Sequence, residues 1–132
     1  MSMLRKMKTF LSKDQETSEN HYDEALKSHY YKITAKKAIE AVENVFSRQP
    51  GVSITSVSEE RGEICIVFEK PKKALMTVTI VSVRPYETAI DFNVSTDTKL
   101  ASDFGFSRKL IIEAYEKLNK ALPFIGTGLH SK

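Results

Sequence analysis

The chain has 132 residues, 41% of them hydrophobic and 28% charged, with a formal net charge of +3 and a pI near 8.9. These values fit one soluble globular domain, exclude intrinsic disorder, and leave little chain for a second core. The single cysteine, Cys65, excludes an intramolecular disulfide framework and suits a reducing compartment, while the mild basicity permits an anionic partner without requiring one.

Leu4, Met7, Phe10 and Leu11 recur at helical spacing, with Arg5, Lys6, Lys8 and Lys13 among them. The pattern reads either as a terminal helix on the chain's own domain or as a basic amphipathic segment for a partner or a membrane. It has no uninterrupted apolar h-region and no cleavage-site pattern, and no apolar run reaches the ~18 residues that span a bilayer. The expectation is a cytoplasmic protein with no transmembrane span. Residues 12–20 are polar and read as a linker. The expected organisation is therefore an N-terminal segment over 1–20, a single domain over 21–123 and a loose tail over 124–132.

Residues 28–33 are aromatic and β-branched and predict a first strand. Thr34 supplies a capping hydroxyl for a helix from Ala35 to about Gln49, with Ala38, Ile39, Val42, Val45 and Phe46 as its apolar stripe and Pro50-Gly51 as its stop. Four strands follow. Val52 to Ser58 leads through a glycine-containing turn into Glu63 to Phe68, with Ile64, Ile66 and Phe68 on one face. Cys65 lies on the other face and reads as a small buried hydrophobe rather than a nucleophile. Ala74 to Val83 is apolar on both faces, as expected of a central strand. After the Arg84-Pro85-Tyr86-Glu87 turn, Thr88 to Ser95 alternates, with Ile90, Phe92 and Val94 inward and Ala89, Asp91, Asn93 and Ser95 outward.

A second long helix then contributes Leu110, Ile111, Ala114, Leu118, Ala121 and Leu122 to the core. The fold class is α+β: a five-stranded antiparallel sheet, in the order strand, helix, four-strand meander, helix, with both helices on one face. This layout resembles the TATA-binding-protein-like and helix-grip folds, a likeness of fold that transfers no function.

Catalytic patterns are missing from the sequence. His21, His29 and His130 are scattered, one cysteine makes no zinc site of ordinary spacing, and there is no phosphate loop, dinucleotide fingerprint or nucleophile elbow. No residue set calls for a metal or a cofactor. Counting strand reversals brings Lys70, Lys72, Lys73, Lys99, Arg48, Arg108 and Lys109 to one pole of the sheet, beside a helix N-terminus. Such a pole suits an anionic small molecule or an acidic protein, and it equally suits lysines that solvate loop tips. Specific nucleic-acid binding is not expected, because the open sheet face carries no aromatic platform. A noncatalytic interaction or small-ligand module is the leading reading. The alternatives are a small hydrolase-type enzyme whose site assembles from distant polar residues, and a nonspecific nucleic-acid binder held by basicity alone.

The stretch Ser102-Asp-Phe-Gly-Phe-Ser-Arg-Lys-Leu-Ile111 resembles the Ser-Asp-[Leu/Phe]-Gly-x-Asn-Arg-x-Arg-[Ile/Val] signature of an uncharacterised bacterial cytosolic protein family, and the resemblance extends over about residues 22–122. Ser107 replaces the family's Asn, and Leu110 its second Arg. A structural role accounts for the motif: Asp103 or Ser107 caps the helix, Gly105 turns the chain at positive φ, and Phe104 or Phe106 staples the loop to the sheet.

Overall fold

The computed structural model describes residues 15–18, 23–69, 73–96 and 103–127. The expectations placed on the amphipathic stretch over residues 4–11, on Lys70, Lys72 and Lys99, and on Ser102 lie outside the described residues. In chain order the elements are β1 (Gln15–Glu16), a 3-10 turn (Glu24–Leu26), β2 (His29–Tyr31), α1 (Ala35–Ser47), β3 (Val52–Ser58), β4 (Glu63–Phe68), β5 (Ala74–Arg84), β6 (Glu87–Thr96), α2 (Asp103–Ala121) and β7 (Phe124–Thr127).

The meander forms because its connections are too short for crossovers, so β3 to β6 pair antiparallel in sequence order. The sheet continues from β6 to β2 and then β7, giving the order β3-β4-β5-β6-β2-β7, with β1 also on β6. The fold is α+β as expected, but among the described residues the sheet has seven strands rather than five. The two additions fall where the sequence suggested a linker and a loose tail. Gln15–Glu16 pairs with Asn93 and Val94, and Phe124–Thr127 pairs with β2. Both give ladder partners to backbone groups that would otherwise form an open sheet edge.

Strand alternation decides which face is covered. Ile64, Ile66 and Phe68 of β4, Met76, Val78 and Ile80 of β5, and Ile90, Phe92 and Val94 of β6 are all buried in one cluster. The same cluster holds Ala38, Ile39, Val42 and Phe46 of α1, and Leu110, Ile111, Ala114, Tyr115 and Leu118 of α2. Both helices therefore cover the same face. Val45 only packs against the cluster, and Ala121, expected in the core, is exposed. Tyr115 takes a core place that the sequence reading did not assign. Thr34 caps α1 as expected, its Oγ1 accepting from the Lys37 N–H at 3.3 Å.

Two glycines contrast. Gly62 sits at φ +68 in the β3–β4 turn, and a Cβ built there would stand 2.3 Å from the Ile80 carbonyl oxygen. Gly105 is not a positive-φ turn residue. It lies in the first turn of α2, and a Cβ there would meet nothing within 4 Å. The helix begins at Asp103, so Ser107 is an interior residue, fully buried, and not a cap. Phe106 does pack against the core, in keeping with the expected staple.

The two glycines should respond to alanine with opposite signs. Gly62→Ala is expected to cost about 2 kcal/mol or more, from positive-φ strain and the clash with the Ile80 carbonyl. Gly105→Ala is expected to gain roughly 0.5–1 kcal/mol by restricting the unfolded chain and favouring the helix. Urea denaturation of both variants checks the pair, and equal signs would contradict these backbone assignments.

Candidate functional site

Two places in the fold concentrate chemistry-bearing groups: a buried polar cluster between α2 and the strands beside β6, and the exposed end of the β5–β6 hairpin. The cluster follows from two spacings. His29 and Tyr31 are two apart in a strand and so share a face, while Tyr115 and Asn119 are four apart on a helix and stack on one side. Packing α2 over β2 brings the pairs together. The His29 ring lies flat on Tyr115, with centroids 3.5 Å apart and planes 5° apart. Tyr31 Oη donates to Asn119 Oδ1 at 2.6 Å, and His29 Nδ1 stands 3.2 Å from the same oxygen. An amide oxygen only accepts, so this contact makes Nδ1 the protonated ring nitrogen. Phe124 of β7 closes over both rings, with centroids 4.9 Å from His29 and 5.6 Å from Tyr31.

The second half of the cluster pins the chain's N-terminal part to β6. β1 and β2 lie end to end on one edge of β6, and the chain leaves that edge at Thr17 and returns at Ser28. Both hydroxyls donate to Asp91 Oδ1, each at 2.5 Å. Thr17 also accepts from the Phe92 N–H, and Tyr115 Oη donates to the Ile90 carbonyl at 2.7 Å. Burial sets the protonation states. It lowers His29 from 6.5 to about 4, only partly offset by the Asn119 hydrogen bond, so the imidazole is neutral near pH 7. Burial likewise pushes the Tyr31 and Tyr115 phenols up. The groups are satisfied by one another: the cluster can hold α2 on the sheet and fix the N-terminal strands in register.

The residues expected at the anion pole have varied fates. Arg48 is the exposed C-cap of α1, and Lys73 and Lys109 are exposed. The turn after β4 does meet the end of α1, through the Glu69 N–H donating to the Gly51 carbonyl at 2.8 Å. The contact of Gln49, next to Arg48, with α2 is at Lys117, 2.5 Å away. Lys117 is nine residues, or roughly 13 Å of helix axis, beyond Arg108. Arg108 itself is engaged: its guanidinium donates to both Asp23 carboxylate oxygens, at 2.8 and 3.3 Å, which raises its pKa further. This pair ties the excursion between β1 and β2 to the second turn of α2.

The exposed site is apolar. Val81 is 49% exposed, Val83 44% and Tyr86 68%, all at the far end of the β5–β6 hairpin. The sequence reading took β5 as central because it is apolar on both faces. It is central in strand order, but among the described residues no helix covers its outer side, and Leu75 and Val81 are exposed. Outer-facing positions of β3 to β6 include the carboxylates Glu63, Glu87 and Asp91 and a single cation, Arg84, which pairs with Glu87 at 3.3 Å. An open groove along α1, lined by Lys37, Glu40, Ala41, Glu43, Asn44 and Ser47, is a shallow solvated surface. Among the described residues no three His, Cys, Asp or Glu side chains cluster, and no helix is long and apolar enough to cross a membrane.

Neither the His29 cluster nor the hairpin end emerged from the sequence as a site. The His-x-Tyr and Tyr-x-x-x-Asn spacings were the available signal for the first. For the second it was the valines on both faces of β5.

The cluster makes stability depend on pH. Unfolded His29 titrates near 6.5 and the folded residue near about 4, so the unfolded state takes up the proton first as pH falls. The stability held at neutral pH is therefore lost through that window, by about 1–2 kcal/mol between pH 7 and pH 5 once solvent screening is allowed for. His29→Phe keeps the ring stack and should flatten this slope. Urea midpoints at the two pH values provide the check, and parallel slopes for both proteins would exclude the assignment.

No protein-family model and no curated protein matches the chain. Among solved structures it is similar to an HSP90 activator from Plasmodium falciparum, with 9% identity over 85% of this chain and 99% of that one and a TM-score of 0.49. It is also similar to a Thermobifida fusca protein solved in solution, with 8% identity over 82% and 95% of the two chains and a TM-score of 0.45. These are likenesses of chain layout, and neither transfers a partner or an activity to this chain.

Proposed function

We propose that the chain is a noncatalytic interaction module that docks a partner protein through the end of the β5–β6 hairpin. The observation that carries this reading is the exposure of Val81, Val83 and Tyr86 at a hairpin end that, among the described residues, no helix covers. Exposed apolar side chains grouped on one projecting element mark contact surfaces more often than scattered ones do. A catalytic role is disfavoured by the state of the polar groups, since His29, Tyr31, Asn119, Tyr115, Thr17, Ser28 and Asp91 already engage one another or the backbone. An anionic ligand is disfavoured at Arg108 by its pairing with Asp23. Nonspecific nucleic-acid binding fits poorly with outer positions of β3 to β6 whose one cation, Arg84, is paired with Glu87. Under the same proposal the chain is a member of the bacterial family whose signature Ser102–Ile111 resembles, with the motif serving as a joint.

Immobilised full-length chain, incubated with lysate of its native host, tests the reading when compared with two variants. Val81→Thr/Val83→Thr keeps β-branched strand residues and should weaken retention of a specific protein several-fold. Val81→Asp/Val83→Asp should weaken it ten-fold or more, as for a contact surface with its centre removed. Retention that is absent, or identical in all three at unchanged melting temperature, would remove the hairpin end from consideration.

A further inference from the structure

Tyr30 and Ala89 are buried on a face that no described helix covers. They pair with each other across β2 and β6. Tyr30 alternates with His29 and Tyr31, whose side chains meet Tyr115 and Asn119 of α2, and Ala89 alternates with Ile90 of the inner cluster. Both side chains therefore point outward, away from the helices. Yet Tyr30 is 3% exposed and Ala89 7%, while Val81, beside Ala89 in β5 and on the same face, is 49% exposed. Neither Tyr30 nor Ala89 belongs to the inner cluster, which takes in α1, α2 and Leu26 of the 3-10 turn. Gly126, opposite Tyr30 in β7, brings no side chain to shield the ring.

The cover thus comes from chain outside the described residues, and topology narrows the choice. Residues 70–72 and 97–102 join the sheet at the end where Ala74 pairs with Thr96, far along β6 from Ala89. Residues 19–22 lie within the excursion that Asp23 ties to Arg108 of α2. Two ends of the chain remain. Residues 128–132 carry one apolar side chain, Leu129, whereas residues 4–11 carry Leu4, Met7, Phe10 and Leu11 at helical spacing. Reach allows the second. Gln15 pairs with Val94, about 17 Å along β6 from Ala89. Residues 12–14 extend up to about 10 Å, and residues 4–11 at helical rise add about 12 Å. Charge agrees as well. Residues 1–13 hold the cations Arg5, Lys6, Lys8 and Lys13 and no acid, and the outer positions of β3 to β6 hold Glu63, Glu87 and Asp91 against the one paired cation, Arg84.

We propose that residues 4–11 form a strap docked on the outer face of the chain's own sheet, its apolar stripe resting on Tyr30 and Ala89. The strap ends short of Val81, so the hairpin end stays open beside it. Its stripe, committed within the chain, is not available to a bilayer.

The test uses the full chain with p-benzoylphenylalanine in place of Phe10, irradiated in dilute solution and mapped by mass spectrometry. A cross-link within one chain, to the peptide that holds Tyr30 or the one that holds Ala89, is expected. Links to α1 or α2, links only between two copies, or no link would each overturn the proposal. So would links to lipid that replace the Tyr30 link when phosphatidylserine vesicles are added. Hydroxyl-radical footprinting gives a second reading. Tyr30, 3% exposed, should be oxidised roughly ten-fold or more slowly than Tyr86, 68% exposed. Leu4→Asp/Phe10→Asp puts charge into the stripe and should bring Tyr30 within about two-fold of Tyr86. Tyr31 and Tyr115, on the inner face, should keep their protection. A Tyr30 that stays protected in the double variant overturns the proposal, and its release by Leu129→Asp would assign the cover to residues 128–132 instead. If the double variant exposes Tyr31 and Tyr115 too, the Phe10 cross-link alone decides.

Discussion

Burial on one face of the β4–β5–β6 ladder is the constraint on which the rest of the structure depends. Alternate residues of these three strands all point at the same two helices, and the register that pairs Ile64 with Val78 and Val78 with Phe92 keeps them in line. A slip by one residue would send Ile90, Phe92 and Val94 to solvent together, so the apolar pattern itself enforces the register. The helices have little freedom either. α1 must present Ala38, Val42 and Phe46, and α2 must present Ile111, Ala114 and Leu118, to fill the same layer. With α1 and α2 both on that side, the other face meets no helix among the described residues, and the exposure of Leu75 and Val81 follows from the layering rather than from any local anomaly.

The edge of β6 opposite β5 is where polar chemistry takes over from burial. Two short strands share it end to end, and neither is long enough to hold register by side-chain packing alone. Asp91 does that work for both, gathering the Thr17 and Ser28 hydroxyls that mark where the chain leaves and rejoins the edge. Tyr115 and Asn119 extend the same tie to α2, and Arg108 adds a second tie through Asp23. The bonds to Asp91 and Asp23 are charge-assisted and so stronger than the neutral ones of Tyr115 and Asn119, and together the network specifies one arrangement among several that apolar contacts would tolerate.

Much of this fold was legible in the sequence, because the long elements carry strong periodicity. The α1 stripe, its Thr34 cap, the meander and the inward set on β6 all follow from spacing alone. β1 and β7 did not, since strands of two and four residues are too short for a period to show and their partners lie far away in the chain. Gly105 invited a turn because glycine usually marks one, yet helix α2 simply runs through it. The His29 network escaped for another reason. Each half is a polar pair on one face of an element, but joining Tyr31 to Asn119 needs the packing of α2 across 88 residues of sequence. Exposure at Val81 and Val83 was hidden by an assumption that an apolar strand has both faces covered.

The position of β7 bears on how the chain is made. β2, near the beginning, is flanked by β6 on one side and by β7, near the end, on the other. During synthesis the β3–β6 meander can pair as soon as it emerges, because its contacts are local. α2 and β7 emerge after the meander, so until then the inner face lacks α2 and β2 lacks its β7 partner. A nascent chain of this design carries uncovered apolar surface until both have formed. It depends on Phe124–Thr127 to shelter a strand made well before them.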